Sequence, residues 1–320
     1  IVYSCVACKN CEEKCPLSFS DEIINMVVAA RGAMVDQGLL PPSVKKFLEN
    51  LQLHGNPYGI GAKKRSEWMG DLSVDAYKDQ EYLFFVGSEG AYDARAQEAA
   101  RSLAGLLQKA GVSFGVLGSQ ETDDGNEAAL LGEDGLTEML AEKNIARFRE
   151  LGVKKIITLS PHAFNAFKNI YPRHGGSFEV YHYTQLLPGL IRSGKIEPPA
   201  LDNAAITYHD PCFLGRWNGE YKAPRQALQA ISGAQMAEMD RNRKSAFCCG
   251  GGSGNYYTDL LGGSENSPAR IRARQAHATG ANILAVACPN CLTMLEDAVK
   301  VEGLENELMV KDISEILAGV

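Results

Sequence analysis

Between residues 203 and 320 the chain runs again through an order of segments already used between 81 and 202. In the first pass, Tyr82-Leu83-Phe84-Phe85-Val86 reads as a buried strand, followed by a helix from about Asp93 to Lys109. The helix carries Ala96, Ala99, Ala100, Leu103, Leu106 and Leu107 on one face. A second strand over 113–117, a helix over 135–150, a strand over 155–159 and a helix starting near 161 complete the pass. In the second pass, Ala205-Ile206-Thr207-Tyr208 is the strand, with helices near 223–231 and 268–278. Ile283-Leu284-Ala285-Val286-Ala287 is another strand, and a helix begins near Leu292. Short apolar runs alternating with longer helical patterns demand a parallel sheet covered by helices on its faces. A unit that recurs in this way is a duplicated domain.

Laying one copy over the other sets Ser88 against Cys212, and Asp123-Asp124-Gly125 against Cys248-Cys249-Gly250. Ser160-Pro161-His162-Ala163 falls against Cys288-Pro289-Asn290-Cys291. Only the second copy has cysteines, and they follow strands or turns. Loops after parallel strands gather at one edge of the sheet, where ligands bind. The reading is therefore one site, in which thiolates from three loops hold iron and inorganic sulfide. A helix start at Cys288-Pro289-Asn290-Cys291 favours thiolate over thiol. Gly250-Gly251-Gly252-Ser253-Gly254 can approach such a group closely and donate N–H bonds to sulfur. A phosphate-cradling loop fits less well, since no Gly-Lys-Ser/Thr follows. Five cysteines exceed the four that one cubane or one zinc requires. That leaves an unusual cluster or one free redox thiol, with a structural zinc as the rival. A dithiol oxidoreductase needs only one Cys-x-x-Cys and explains too little.

Near the amino end, Cys5, Cys8, Cys11 and Cys15-Pro16 form C-x2-C-x2-C-x3-C-P, the bacterial ferredoxin run. Three thiolates wrap one cubane, and the fourth, Cys15, points to a second; a structural zinc is the alternative. A matching motif upstream would complete both. The chain opens on Ile-Val-Tyr-Ser-Cys with no initiator Met and no signal peptide, so it is expected to be the carboxyl-terminal part of a longer polypeptide. Residues 1–52 are read as the end of a helical ferredoxin domain, and 53–80 as a linker in which Trp68 anchors packing. Residues 81–202 are read as the cysteine-free copy and 203–320 as the cluster-binding copy. A net charge of −7 without a long basic run argues against nucleic acid. No stretch is long and apolar enough to span a membrane by itself. Nine cysteines in short motifs suggest metal binding in a reducing compartment rather than a disulfide framework.

The pattern His209-Asp210-Pro211-Cys212, Cys248-Cys249-Gly250, Cys288-Pro289-x-Cys291 resembles the cysteine-rich CCG domain of the B-type and D-type subunits of heterodisulfide reductase. A ferredoxin motif before two such domains is similar to the D-type subunit. It also resembles glycolate oxidase iron–sulfur subunits and proteins coupling electron-transfer flavoprotein (ETF) to menaquinone. The resemblance implies an α/β fold of two pseudo-symmetric CCG domains with parallel sheets, preceded by a short α-helical ferredoxin segment. It implies that Cys212, Cys248, Cys249, Cys288 and Cys291 ligate a noncubane [4Fe-4S] cluster, with Cys248 and Cys249 at the reactive centre, and that Cys5, Cys8, Cys11 and Cys15 serve cubane clusters. The implied function is an oxidoreductase relay in a quinone-linked complex. A disulfide reductase subunit and a purely electron-carrying scaffold are the alternatives. Implied partners are a flavoprotein such as ETF or a haem b membrane subunit, with quinone or disulfide as substrate, at the cytoplasmic face of a membrane. This chain departs from the family in its first copy: Ser88, Asp123, Asp124, Ser160 and Ala163 cannot replace soft thiolates.

Neighbouring residues carry two readings each. His209 delivers protons to a reduced substrate or is a hydrogen-bonded loop histidine. His162 lines a pocket or is structural; Arg216 and Trp217 pack over the cluster. Asp123 and Asp124 are general acids or, preferably, remnants that cap a helix. His54 reads as a surface residue, and His174, His182 and His277 follow no pattern.

Overall fold

The computed structural model describes residues 2–320. The duplication appears as two four-stranded, all-parallel sheets with the same strand order. The first contains β1 (Tyr82–Phe85), β2 (Phe114–Gly115), β3 (Lys155–Thr158) and β4 (Glu179–His182), in the order β2-β1-β3-β4. The second contains β5 (Ala205–Tyr208), β6 (Gln235–Met236), β7 (Ile283–Val286) and β8 (Met309–Asp312), in the order β6-β5-β7-β8. Leu83, Phe84, Phe85, Ile156 and Ile157 are all fully buried, because helices cover both faces. In each sheet the winding reverses between the two central strands, β1 and β3 or β5 and β7. That reversal opens a crevice beyond their carboxyl ends.

The helix Ala94–Lys109 starts where the Asp93 carboxylate accepts from the Ala96 N–H at 2.9 Å, and its apolar stripe is buried as the spacing predicts. The helix expected near Leu292 begins three residues earlier, at Pro289. Proline pre-sets the first helical φ and sacrifices no needed N–H there. Cys291 thus sits inside the first turn, and Cys288 is its N-cap.

The strand expected over 113–117 pairs only at Phe114–Gly115, and Val116 bridges to Ala76 in the stretch read as linker. That stretch carries the 3-10 helix Ala62–Met69. Its Trp68 is fully buried, edge-on to Phe84 at 6.1 Å, and its Arg65 pairs with Glu121 at 2.8 Å. Gly115 permits the crossing, since a Cβ there would lie 2.6 Å from the Tyr77 Cα.

The two copies share one core. Phe84, Leu103, Tyr183 and Leu187 of the first pack in the same apolar cluster as Ile206, Tyr208, Leu228 and Ile313 of the second. Tyr183 donates to Asp312 at 2.7 Å, and Ser314 to the Ala99 carbonyl at 3.1 Å. The amino-terminal helices Ile23–Asp36 and Pro42–His54 precede the repeats. Val44, Phe47, Leu48 and Leu51 pack on Ala128, Leu131, Leu136 and Leu140 of the first copy. No helix among the described residues is long and apolar enough to cross a membrane.

Candidate metal centre

The five carboxyl-terminal cysteines meet in the crevice of the second sheet. β5 runs into His209-Asp210-Pro211-Cys212 and β7 into Ala287-Cys288, while Cys248-Cys249 arrive on an irregular loop. The His209 N–H donates to the Ala285 carbonyl at 3.0 Å, carrying the ladder past the end of β5. Cys212 and Cys248 are 6% exposed, Cys249 3%, Cys291 2% and Cys288 not at all. Their thiols form a row: Cys212 beside Cys248, Cys248 beside Cys249, and Cys291 beside Cys288. In the middle of the row the Cys249 and Cys291 sulfurs are 3.2 Å apart. The Gly250 N–H donates to the Cys248 sulfur at 3.2 Å.

The amino-terminal motif reaches this row. Cys8 lies next to Cys248; that contact, with Arg216, lowers its thiol pKa to about 6 against the opposing effect of burial. Cys5 and Cys8 pack on the apolar cluster around the five cysteines, whereas Cys11 is exposed and Cys15 half-buried. Ala7 and Lys9 adopt left-handed φ of 49° and 59°, which turns the chain tightly around Cys8.

Arg216 and Trp217, expected over the cluster, clamp this turn. Arg216 donates to the Cys8 carbonyl and, at 2.7 Å, to that of Ala246; Trp217 donates to the Ala7 carbonyl at 2.9 Å. Arg31 holds the same segment from below. It donates to the carbonyls of Cys5 and Val2, to that of Leu130 at 2.6 Å, and to Ser253 Oγ at 2.7 Å. At Gly252 the loop and the motif touch: a Cβ there would lie 2.5 Å from the Val6 carbonyl oxygen.

A family profile described as "Cysteine-rich domain" (CCG) matches twice, over residues 82–168 and 206–296. The chain belongs to the CCG cysteine-rich domain family. It is 39% identical to a probable iron-sulfur-binding oxidoreductase, FadF, of Bacillus subtilis, over 99% of this chain and 46% of that protein. It is 36% identical to an EtfAB:quinone oxidoreductase of Syntrophomonas wolfei, over 99% of this chain and 46% of that protein. The D-type subunit of the dihydromethanophenazine:CoB–CoM heterodisulfide reductase of Methanosarcina barkeri is 33% identical, over 99% of this chain and 77% of that protein. The chain thus spans less than half the length of the first two.

In the cysteine-free CCG copy, the positions facing the five cysteines bond to one another or to nearby backbone. Ser88 donates to Asp123 at 2.7 Å, and Asp123 accepts from the Gly125 N–H at 3.0 Å. Asp124 accepts from the Asn126 N–H at 2.8 Å, at the start of the helix Asn126–Leu130. Ser160 caps the next helix by accepting from the His162 N–H at 3.1 Å, and Ala163 is fully buried. Burial raises the pKa of both aspartates.

One product of this copy does reach the other copy's sulfurs. His162 lies on the Phe213 ring, centroids 4.2 Å apart, beside Cys288, and its Nδ1 is 2.5 Å from Glu127. The same carboxylate accepts from the Gly254 N–H of the second copy's glycine loop. Burial opposes charge on His162, but the Glu127 carboxylate and the Cys288 contact outweigh it and hold the imidazolium well above its usual pKa. Burial likewise raises the Cys288 thiol, yet contacts with Cys291 and His162 bring it down to about 6.

Whether these residues suit an iron–sulfur group is tested by what surrounds the sulfurs. Buried polar groups are normally paired, but the described residues leave His209 Nε2, Asn290 Nδ2, Arg216 Nη2 and Arg272 Nη2 without a partner. Arg31 and Arg272 are fully buried, and among the described residues neither they nor Arg216 forms an ion pair with a carboxylate. The guanidinium groups of Arg216, near Cys212 and Cys248, and of Arg272, near Cys291, with the idle N–H donors, are the complement of an anionic, sulfur-rich group. The residues fit.

Sequence reading missed Glu127, Arg31 and Arg272. Arg31 did leave a trace, as a lone charge within the apolar run 23–35; the other two are unremarkable in their segments. His54 is exposed, His182 is buried at the N-cap of the helix Tyr183–Arg192, and His277 pairs with Glu307 at 2.8 Å.

Proposed function

We propose that this chain is an iron–sulfur oxidoreductase subunit that relays electrons between two clusters. A ferredoxin-type [4Fe-4S] cluster would be held by Cys5, Cys8 and Cys11, with Cys15 serving a neighbouring cluster. A noncubane [4Fe-4S] cluster would be held by Cys212, Cys248, Cys249, Cys288 and Cys291. Bound there, the clusters supply one-electron steps at potentials set by their surroundings.

The single observation that carries the reading is the meeting of Cys8 with Cys248, between Cys212 and Cys249 in the buried sulfur row, which brings the two ligand sets together. Arg216 and Trp217 fix that meeting by gripping the carbonyls of Cys8 and Ala7. The oxidoreductase names of the relatives support the general class. A quinone-linked, membrane-associated complex is the preferred setting, because the cysteine-free copy leaves only one CCG site with thiolates. Its partners would be an electron-transfer flavoprotein or a haem b membrane subunit. The relation to a heterodisulfide reductase subunit over 77% of that protein favours disulfide reduction as the second reading.

The test is anaerobic purification with iron, acid-labile sulfide and zinc assays, followed by EPR of the reduced and the thiol-treated oxidised protein. Iron and sulfide with two distinct spectra are expected, and Cys248→Ser should abolish turnover and alter one spectrum. Zinc in place of iron sinks the proposal. Turnover of a thiol heterodisulfide replaces the quinone preference with the second reading, and a Cys248→Ser variant that merely slows electron transfer marks a carrier.

A further inference from the structure

His209 follows β5 and is 1% exposed. One ring nitrogen of His209 and the sulfurs of Cys249 and Cys291 lie within 4.8 Å of one another, a spacing at which the three could share a metal ion. The hydrogen bond on the far side of the ring decides against that. Arg272, fully buried on the helix Pro268–His277, donates from Nε to His209 Nδ1 at 3.1 Å. Its Nη1 is fixed on the Arg241 carbonyl at 2.8 Å and on Gln275 at 3.0 Å, so the guanidinium is not free to turn away. A guanidinium has donors and no acceptor. His209 Nδ1 must therefore present its lone pair, and the ring proton resides on Nε2.

Among the described residues no nitrogen or oxygen partners Nε2, and with Nδ1 taken by Arg272 it is the nitrogen left for the neighbouring Cys249 side chain. An imidazole that accepts at Nδ1 and carries its proton at Nε2 has no lone pair left for a metal. A ligating histidine shows the reverse arrangement, with its second nitrogen donating to a carboxylate or carbonyl.

We infer that His209 is an N–H donor to sulfur beside the Cys249–Cys291 pair, locked in that tautomer by Arg272, and is neither a metal ligand nor a proton carrier. A proton cannot be passed in from Nδ1, where the neighbour is itself a donor. Arg272 acts through His209 and is a positioning residue. The consequence for function rests on the iron–sulfur reading: an N–H donor to sulfur favours the more reduced, more negative state and raises the reduction potential.

The experiment has two arms. In the metal-free chain, long-range 15N–1H correlation of labelled histidine reports the tautomer without any cofactor. A proton on His209 Nε2 is expected in the wild type, with the preference lost in Arg272→Leu; a proton on Nδ1 in the wild type overturns the inference.

In the iron-loaded protein, His209→Leu should keep its iron and show a downward shift in the potential of the CCG site. His209→Gln, which still offers an N–H, should recover most of that shift. Pulsed EPR on 15N-histidine protein should find a weak hydrogen-bond coupling. A strong, directly bonded nitrogen coupling overturns the inference, as does loss of iron from a natively folded His209→Gln or an unshifted potential in His209→Leu. Wild-type protein without iron and sulfide would count against the proposed function, and the metal-free arm would still decide the tautomer.

Discussion

Gly252 is where the ferredoxin-type motif rests on the CCG loop, and Gly252→Ala tests whether that contact holds the two cysteine groups together. The added methyl would sit 2.5 Å from the Val6 carbonyl oxygen and 3.2 Å from Phe213 Cε2. An ordinary C···O contact is about 3.3 Å, so one partner must move by about 0.8 Å. Neither yields easily. The motif is held by Trp217 on the Ala7 carbonyl at 2.9 Å and by Arg31 on the Val2 carbonyl at 2.9 Å, and Phe213 is fully buried.

Overpacking of this kind costs about 1–3 kcal/mol. If it falls on docking alone, the docked fraction shifts roughly 5- to 150-fold, at about 1.4 kcal/mol per decade. Hydrogen exchange read by mass spectrometry on the iron-loaded protein measures this directly. Amides of residues 2–9 should exchange faster by about that factor, while β5 and β7 remain as protected as in the wild type. The rate of electron transfer between the two sites should fall in step. Unchanged exchange over residues 2–9 would refute the contact, and equal acceleration in β5 and β7 would show that Gly252 serves the whole fold rather than the docking.

Arg31→Met removes a donor from the carbonyls of Cys5 and Leu130 and leaves that of Val2 only the Cys5 N–H at 3.4 Å, at about 1–3 kcal/mol for each one left unpaired. The urea midpoint should fall, and protection should be lost in residues 2–9 and in the glycine loop together; a midpoint equal to the wild type would refute the anchoring role. Burial pushes the Asp312 carboxyl up to about 7, although Ser314 and Tyr183 donate to it. The folded chain then binds a proton that the unfolded chain has lost above the ordinary aspartate range. On this account stability is greatest in acid, falls between about pH 4 and 7, and is flat above. From pH 8 to pH 6 the wild type should gain about 1 kcal/mol relative to Asp312→Asn, read as the difference of urea midpoints. A pH-independent difference between the two chains would refute it.

Much of this architecture was legible because it is written in local periodicity. β1, β3, β5 and β7 are short apolar runs bounded by turns, and their repetition with helices between them is a pattern in neighbouring residues. The place of the cysteines was legible for the same reason, since each group follows a strand or turn of the repeat. Where reading fell short, long-range contacts had overridden local signal. The glycine- and lysine-rich stretch 53–80 reads as a linker anchored by Trp68, and Trp68 does pack on Phe84, but nothing local signals that Arg65 is buried against Glu121. The helix holding Cys291 starts early because one proline suits its first position.

Glu127 and Arg272 were invisible because their importance lies in what they touch, His162 and His209, and neither pairing leaves a spacing rule behind. By itself the sequence determined that the fold is doubled, that it is built on parallel sheets, and that the thiols belong to one copy. Tertiary structure alone decided that the amino-terminal motif lies against that copy, and that the emptied copy lends it a carboxylate and an imidazole. Bonds such as Arg31 to Ser253 or Arg216 to Cys8 join residues more than 200 positions apart. Hydrogen bonds are directional and reach about 3 Å, so which distant groups meet is settled only once the shared core has packed.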